Sequence, residues 1–134
     1  MNFVLDTNAV SETEKPLPND GFMAWYRVQD PAQLFVTTIT LAEVWLGFHS
    51  LPPSHQDYER IKRIATDLPR KYRVLNFDAR AAAIWGELTA QASGPLPLRD
   101  SFIAAIARSR GHRIVTRDTK PFERMGCKVV APWK

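Results

Sequence analysis

Cysteine and histidine are scarce in this sequence, and their scarcity excludes several kinds of site. The 134 residues contain one cysteine, Cys127, so the chain can form neither an internal disulfide nor a cysteine-ligated zinc site. Of the three histidines, His49, His55 and His112, the nearest two are six residues apart, which is not the spacing of two metal ligands on one helix. We interpret all three as surface or core residues.

Long hydrophobic runs and phosphate-binding glycine loops are absent as well. Residues 1–5 are mostly apolar, but Asp6 interrupts this run far too early for the apolar core of a secretory signal. No run approaches the roughly 20 apolar residues of a membrane-spanning helix. The sequence has no P-loop, no Gly-rich dinucleotide turn and no Ser-His-Asp arrangement. We therefore expect a cytoplasmic protein without a membrane segment.

Positive charge is concentrated in the last quarter of the sequence. Residues 1–98 hold 9 Lys and Arg against 11 Asp and Glu, a net charge of −2, whereas residues 99–134 hold 9 against 3, a net charge of +6. A basic segment of this kind favours a polyanionic partner such as nucleic acid. A solvated basic surface explains the same charge, so both interpretations stay open.

Short apolar segments alternate with helical patterns along the whole chain. We predict strands at residues 2–5, 34–37, 113–116 and 128–130, a short strand or connector at 74–77, and helices at 22–28, 40–48, 58–68, 79–92, 101–110 and 120–125. The polar residues after Asp6 predict a turn or a helix, and Gly111 is predicted to end the helix at 101–110. The helix at 40–48 is apolar on most sides, which predicts that it is well buried. The alternation predicts one α/β domain with a mainly parallel sheet.

Four acidic residues stand at the start of a predicted helix or just after a predicted strand: Asp6, Glu43, Asp100 and Asp118. Taken singly, each has an ordinary explanation, because an acid at a helix N-cap accepts hydrogen bonds from the free N–H groups of the first turn. Thr40 and Glu43 likewise match a capping box, with Thr40 as the N-cap.

Taken together, the four acids indicate a metal site. In a doubly wound sheet the carboxyl ends of the strands lie beside the N-termini of the following helices, and ligand sites form at that edge. Carboxylates that meet there repel one another unless a cation joins them. Glu43 adds weight, since it is the only charged residue from Thr37 to Phe48 and a buried acid is normally paired or bound to metal. Oxygen ligands without His or Cys suit Mg²⁺ or Mn²⁺, which can support phosphodiester hydrolysis.

Four segments contain these acids: FVLDTN at residues 3–8, TITLAEV at 38–44, LRDSFIAAIA at 98–107, and VTRD at 115–118 followed by PF at 121–122. In this order and spacing they resemble the motifs of PIN-domain ribonucleases, specifically VapC-type toxins. The ending VVAPW at 129–133 is similar to the family's usual close. The resemblance covers essentially the whole chain.

The resemblance implies a single PIN-like domain over residues 1–134, folded as a three-layer α/β/α sandwich around a mainly parallel sheet. It implies an Mg²⁺- or Mn²⁺-dependent endoribonuclease that acts as the toxin of a toxin–antitoxin pair. Its metal ligands and catalytic residues would be Asp6, Glu43, Asp100 and Asp118, of which the fourth position varies in the family. Thr7, Asn8 and Thr116 match polar positions beside the acids, where they would orient ligands or water, or simply hydrogen-bond the turns.

The resemblance also implies three partners: an RNA substrate, a cognate antitoxin that inserts a segment near the active site, and a second copy of the chain in a homodimer. Trp25, Tyr26 and Trp45 are aromatic candidates for such surfaces, although residues of this kind are more often core, and we assign no interface residue. We hypothesise that some basic residues flanking the third and fourth motifs guide RNA phosphates to the metal. These residues are Arg108, Arg110, Arg113, Arg117, Lys120 and Arg124.

Three alternative functions remain at this point. A PIN-fold module could bind RNA or a partner without cutting it, and a DNA nuclease would use the same metal chemistry. A phospho-accepting protein of the receiver type would need an acidic pair near the first strand, and Glu12 and Glu14 lie too far beyond Asp6 to form one.

Overall fold

A five-stranded, all-parallel sheet forms the centre of the computed structural model, which describes residues 1–134. Its strands are β1 (Phe3–Leu5), β2 (Leu34–Thr37), β3 (Arg73–Leu75), β4 (Arg113–Val115) and β5 (Val129–Val130). They lie side by side in the order β3-β2-β1-β4-β5. Because the order reverses between β1 and β4, a crevice opens beyond the carboxyl ends of these two strands, where open α/β sheets usually bind ligands.

Seven α-helices and one short 3-10 helix, at Pro31–Gln33, surround the sheet. The α-helices are α1 (Thr7–Thr13), α2 (Asp20–Arg27), α3 (Thr38–His49), α4 (Tyr58–Lys71), α5 (Ala79–Gln91), α6 (Leu98–Arg110) and α7 (Thr119–Arg124). None of the helices combines the length and the apolar character needed to cross a membrane.

Two hydrophobic cores lie on opposite faces of the sheet, and the alternation of side chains along β1 shows this directly. Val4 belongs to the core that α5, α6 and α7 cover, whereas Phe3 and Leu5 belong to the core that α1, α2 and α4 cover. Strands buried on both faces explain why the sequence shows continuous apolar runs instead of a polar–apolar alternation. The structure thus confirms the predicted α/β/α sandwich with a parallel sheet.

The C-terminal segment is attached to α1, the helix that begins beside Asp6. The indole Nε1 of Trp133 donates a 2.7 Å hydrogen bond to the Glu12 carboxylate, which also accepts from Lys15 and from the backbone of Asn19. Burial raises the pKa of Glu12, but these donors outweigh it and the net pKa is lowered. This attachment fixes α1, and with it the start of the functional site, against the end of the chain.

α3 and α6 both begin earlier than the sequence predicts, and this changes the capping of each. α3 starts at Thr38 with Thr37 as its N-cap, whose hydroxyl accepts from the Thr40 backbone N–H at 3.2 Å. α6 starts at Leu98 with Pro97 as its N-cap, so Asp100 lies within the first turn. The capping explanations for Thr40 and Asp100 are therefore wrong, because in each case the chain turns helical two or more residues earlier.

The prediction that the helix at 40–48 is well buried is also wrong. In α3 only Thr40 and Phe48 are buried, while Leu46 is 51% exposed. The helix packs chiefly against α4, touches α1 and α6 as well, and leaves Trp45 and Leu46 exposed. Gly111 does end α6 as predicted, with the positive φ of 69° that glycine adopts without strain.

Candidate metal centre

Four different elements bring the four acids to one place. Asp6 directly follows β1, Glu43 lies in the second turn of α3, Asp100 in the first turn of α6, and Asp118 just before α7. Together they line a cavity of about 140 Å³ at the carboxyl ends of β1 and β4. The other lining residues are Thr7, Asn8, Thr116 and Phe122. The four acids selected from the sequence therefore share one cavity, although they are up to 112 positions apart in the chain.

Asp6 is the most deeply buried of the four acids, with 4% of its surface exposed. Its Oδ1 accepts a 2.8 Å hydrogen bond from the backbone N–H of Ala9, so its role as the N-cap of α1 is confirmed. Burial is the main reason that its pKa rises to about 6, and the nearby Asp100 and Glu43 raise it further, while the Thr116 hydroxyl and Ala9 lower it. No cation pairs with this buried carboxylate within the chain.

Glu43 is held by the hydroxyl of Thr7, the first residue of α1. The Thr7 hydroxyl donates to Glu43 Oε1 at 3.0 Å and lies 3.3 Å from the hydroxyl oxygen of Thr40. On the opposite side, the guanidinium of Arg99 lies 3.9 Å from Glu43 Oε2. The sequence identified Thr7 as a polar neighbour of the acids but took Thr40 for a helix cap and gave no role to Arg99.

Asp100 and Asp118 complete the cluster at its more open side. The pKa of Asp100 is raised, first by burial and then by the negative charges of Glu43 and Asp118. Asp118 is exposed, and its backbone N–H donates to the Thr116 hydroxyl at 3.1 Å. Its side chain makes no capping hydrogen bond to α7. The capping explanation for Asp118 is therefore wrong, and its carboxylate is available to a ligand.

The donor set fits a hard divalent cation. All four acids supply oxygen, no cysteine or histidine lines the cavity, and hydroxyl and amide groups stand beside the carboxylates. The acids do not form a ready-made cage of three or more metal-binding side chains. Mg²⁺ does not require one, since proteins usually hold it through one or two carboxylates while it keeps several waters.

The structure divides the basic residues proposed to guide RNA. Arg108 and Arg110 lie in the last turn of α6 and Arg113 at the start of β4, so these three lie at the end of the sheet opposite Asp100 and Asp118. Only Arg117 and Lys120 stand within two residues of Asp118. Three of the six basic residues proposed to guide RNA, Arg108, Arg110 and Arg113, therefore lie too far from the acids to act beside them.

Comparison with known proteins agrees with this fold over the whole chain. The family model of the PIN domain matches residues 3–127. VapC ribonuclease Y4jK of Sinorhizobium fredii is 37% identical, over 98% of this chain and 97% of its own, and plasmid stability protein StbB of Pseudomonas syringae is 34% identical over 98% of each. The solved structure of FitAcB from Neisseria gonorrhoeae has a TM-score of 0.87 at 29% identity, covering 98% of both chains. DNA-bound VapBC from Salmonella typhimurium has a TM-score of 0.81 at 27% identity, covering 97% of both.

An α/β/α fold with acids gathered at the carboxyl edge of a parallel sheet defines the class of protein. The chain belongs to the PIN-domain family, in its VapC type.

Proposed function

We propose that this chain is a metal-dependent endoribonuclease, the toxin of a toxin–antitoxin pair, and that Asp6, Glu43, Asp100 and Asp118 hold its Mg²⁺ or Mn²⁺. The observation that carries the proposal is the acid cavity. Four carboxylates share it, and the most buried of them has its pKa raised to about 6 with no cation of the chain beside it. A divalent cation would offset both the burial and the mutual repulsion of these charges.

The residues of the chain divide the work of hydrolysis between them. When bound, the metal polarises a phosphoryl oxygen and lowers the pKa of a water molecule. The backbone N–H of Ala9 donates to the Asp6 carboxylate and keeps it in place. The Thr7 hydroxyl fixes the rotamer of Glu43 through its 3.0 Å hydrogen bond. Asp118, the exposed acid, would accept a proton from the attacking water.

The partners follow from two surfaces beside the cavity. A groove of about 370 Å³ between α1, α3 and α4 shares Thr7 and Glu43 with the acid cavity and has an apolar floor that includes Val44 and Ile64. A segment of the antitoxin lying there would cover the active site, as expected from the resemblance. The exposed side of α3, with Trp45 and Leu46, together with Leu98 of α6, suits a homodimer contact. We further propose that residues 1–134 act as one domain in the cytoplasm.

Cleavage of total RNA by the purified protein tests the proposal. We expect cutting with Mg²⁺ or Mn²⁺ and none with EDTA, and we expect Asp6→Asn and Asp100→Asn to lose nearly all of it. Asp78→Asn is the matched control, because Asp78 caps α5 with the same geometry as Asp6 caps α1 but lies outside the cavity. Cutting that survives both variants, or that EDTA leaves intact, would contradict the carboxylate–metal mechanism. Single- and double-stranded DNA in parallel reactions establish whether RNA is the preferred polymer.

A further inference from the structure

Arg99 is a cation beside the acid cavity that none of the roles proposed above uses. It is the second residue of α6 and directly precedes Asp100. Its guanidinium Nη1 lies 3.9 Å from Glu43 Oε2, with 58% of the Arg99 side chain and 22% of the Glu43 side chain exposed. The structure therefore holds a positive charge at the rim of a site whose other charged groups are all acids.

The geometry leaves the guanidinium free to bind something else. A distance of 3.9 Å exceeds the 2.7–3.2 Å of an N–H···O hydrogen bond, and the side chain of Arg99 forms no hydrogen bond within the chain. An exposed ion pair of this kind adds little to the stability of the fold. The contact with Glu43 thus contributes little to folding, and the five N–H donors of the Arg99 guanidinium remain available to an oxyanion.

The surroundings of Arg99 also favour an anion. Pro97, the N-cap of α6, offers no side-chain acceptor, so the N–H groups of the first turn keep a partial positive charge that the Asp100 carboxylate of the same turn offsets only in part. Arg99 also lines an open pocket that includes Ile39 and Phe102 and that adjoins the acid cavity through their shared residue, Glu43. Glu43, the acid that Arg99 contacts, therefore lies at the boundary between this pocket and the acid cavity.

We propose that Arg99 binds a phosphate oxygen of the RNA backbone at the entrance of the acid cavity and so positions the scissile phosphodiester at the metal. The inference rests on the ribonuclease function proposed above and names a substrate-binding residue for it. Each phosphodiester carries one negative charge, which four carboxylates repel, and an arginine in hydrogen-bonding reach counters that repulsion with a fork of donors that fits phosphate. On substrate binding the guanidinium exchanges its loose contact with Glu43 for the phosphate.

Two substitutions of Arg99 and one control test this role. Arg99→Gln removes the charge, Arg99→Lys keeps the charge without the fork, and Arg110→Gln makes the same change eleven residues further along α6, about 16 Å away. Arg110 is a close match, since it is also exposed and also contacts a single acid, Asp78, at 3.5 Å. Each protein is assayed for RNA cleavage in Mg²⁺, for binding of a short single-stranded RNA in EDTA across a salt series, and for Mn²⁺ affinity.

We expect Arg99→Gln to lower kcat/KM for RNA about 10- to 100-fold, the effect of losing one hydrogen bond between charged groups, and Arg110→Gln to change it less than about twofold. The slope of log Kd against log salt should fall by about 0.7 in Arg99→Gln, the value for one lost phosphate contact on a single strand, and should stay at the wild-type value in Arg99→Lys. Mn²⁺ affinity should be unchanged or slightly tighter in Arg99→Gln, because a competing cation has been removed.

An unchanged salt slope in Arg99→Gln would overturn the proposal, as would a loss of cleavage no larger than that of Arg110→Gln. A fall in Mn²⁺ affinity without a change in slope would also overturn it, since Arg99 would then act only by holding Glu43. The binding measurement in EDTA needs no catalysis. If the wild-type protein cut no RNA with any metal, the proposed function would fail while the salt slope still reported on Arg99.

Discussion

Replacing Asp6 by asparagine should make the metal-free protein more stable at neutral and alkaline pH. In the folded protein the pKa of Asp6 is about 6, against an ordinary value of 3.8, chiefly because the carboxyl is buried. At a pH where Asp6 is ionised in the folded protein, this difference in pKa lowers the free energy of unfolding by roughly 3 kcal/mol. Asparagine has the same shape, carries no charge, and retains an oxygen that can accept from the Ala9 N–H.

The sign of the pH dependence follows from proton linkage. Between pH 3.8 and about 6 the folded protein binds the Asp6 proton and the unfolded chain does not, so this group makes stability fall as the pH rises through that window. Below the window both states are protonated, and above it the full cost is present. The stability difference between Asp6→Asn and wild type should therefore be small at pH 4 and reach up to about 3 kcal/mol at pH 8, or roughly 10 °C in Tm.

Urea denaturation in EDTA at several pH values, followed by tryptophan fluorescence, measures this difference. Asp78→Asn serves as the control, because Asp78 also caps a helix, α5, but is exposed to solvent. Saturating Mn²⁺, at about 100 times its Kd, should stabilise wild type by about 2.7 kcal/mol and leave Asp6→Asn nearly unaffected. An Asp6→Asn protein that is no more stable than wild type at pH 8, or whose advantage is the same at every pH, would show that the buried charge of Asp6 does not destabilise the metal-free fold.

Three further substitutions test contacts around the site. Thr7→Val removes the donor to Glu43 Oε1 and should lower kcat/KM about tenfold with folding intact, whereas Thr7→Ser should keep most of the activity; equal loss in both would contradict the role of the hydroxyl. Trp133→Phe leaves the buried Glu12 without its indole donor and should cost about 1.5–3 kcal/mol in urea denaturation. Gly21→Ala places a Cβ 2.7 Å from the Lys134 Cβ and 2.9 Å from the Pro132 carbonyl oxygen, so it should destabilise the folded protein by about 1–3 kcal/mol. Gly86→Ala, in α5 with open space around it, should stabilise the folded protein by about 0.5–1 kcal/mol. A stable Gly21→Ala protein would show that the C-terminal segment does not pack closely on α2.

The sequence predicted most of the helices and strands because their signals are local. Leu34–Thr37 is a run of apolar and β-branched residues, and its predicted bounds are those of β2. Asp78 and Gly111 mark helix ends through backbone chemistry that operates within a few residues. For the polar segment after Asp6 the sequence predicts either a turn or a helix. The segment forms α1, which is tied to the distant C-terminus through the hydrogen bond between Glu12 and Trp133.

The choice of the four acids also came from sequence, through the order and spacing of four motifs. Residue type was sufficient to exclude a soft-metal site, since cysteine and histidine pairs are missing whatever the fold. Sequence could not separate an acid that caps a helix from one that faces a cavity. The structure shows that Asp6 does both, whereas Asp100 and Asp118 make no cap.

Tertiary structure alone decided which charges meet. Arg99 and Arg110 are both exposed arginines of α6, yet one stands beside Glu43 and the other beside Asp78, because a helix of 13 residues separates its two ends by nearly 20 Å. Arg108 and Arg113 flank the third and fourth motifs in sequence but lie at the far end of the sheet. Local chemistry fixes helices, strands and their caps, whereas electrostatic function depends on distances through space, and the parallel packing of the strands sets those distances.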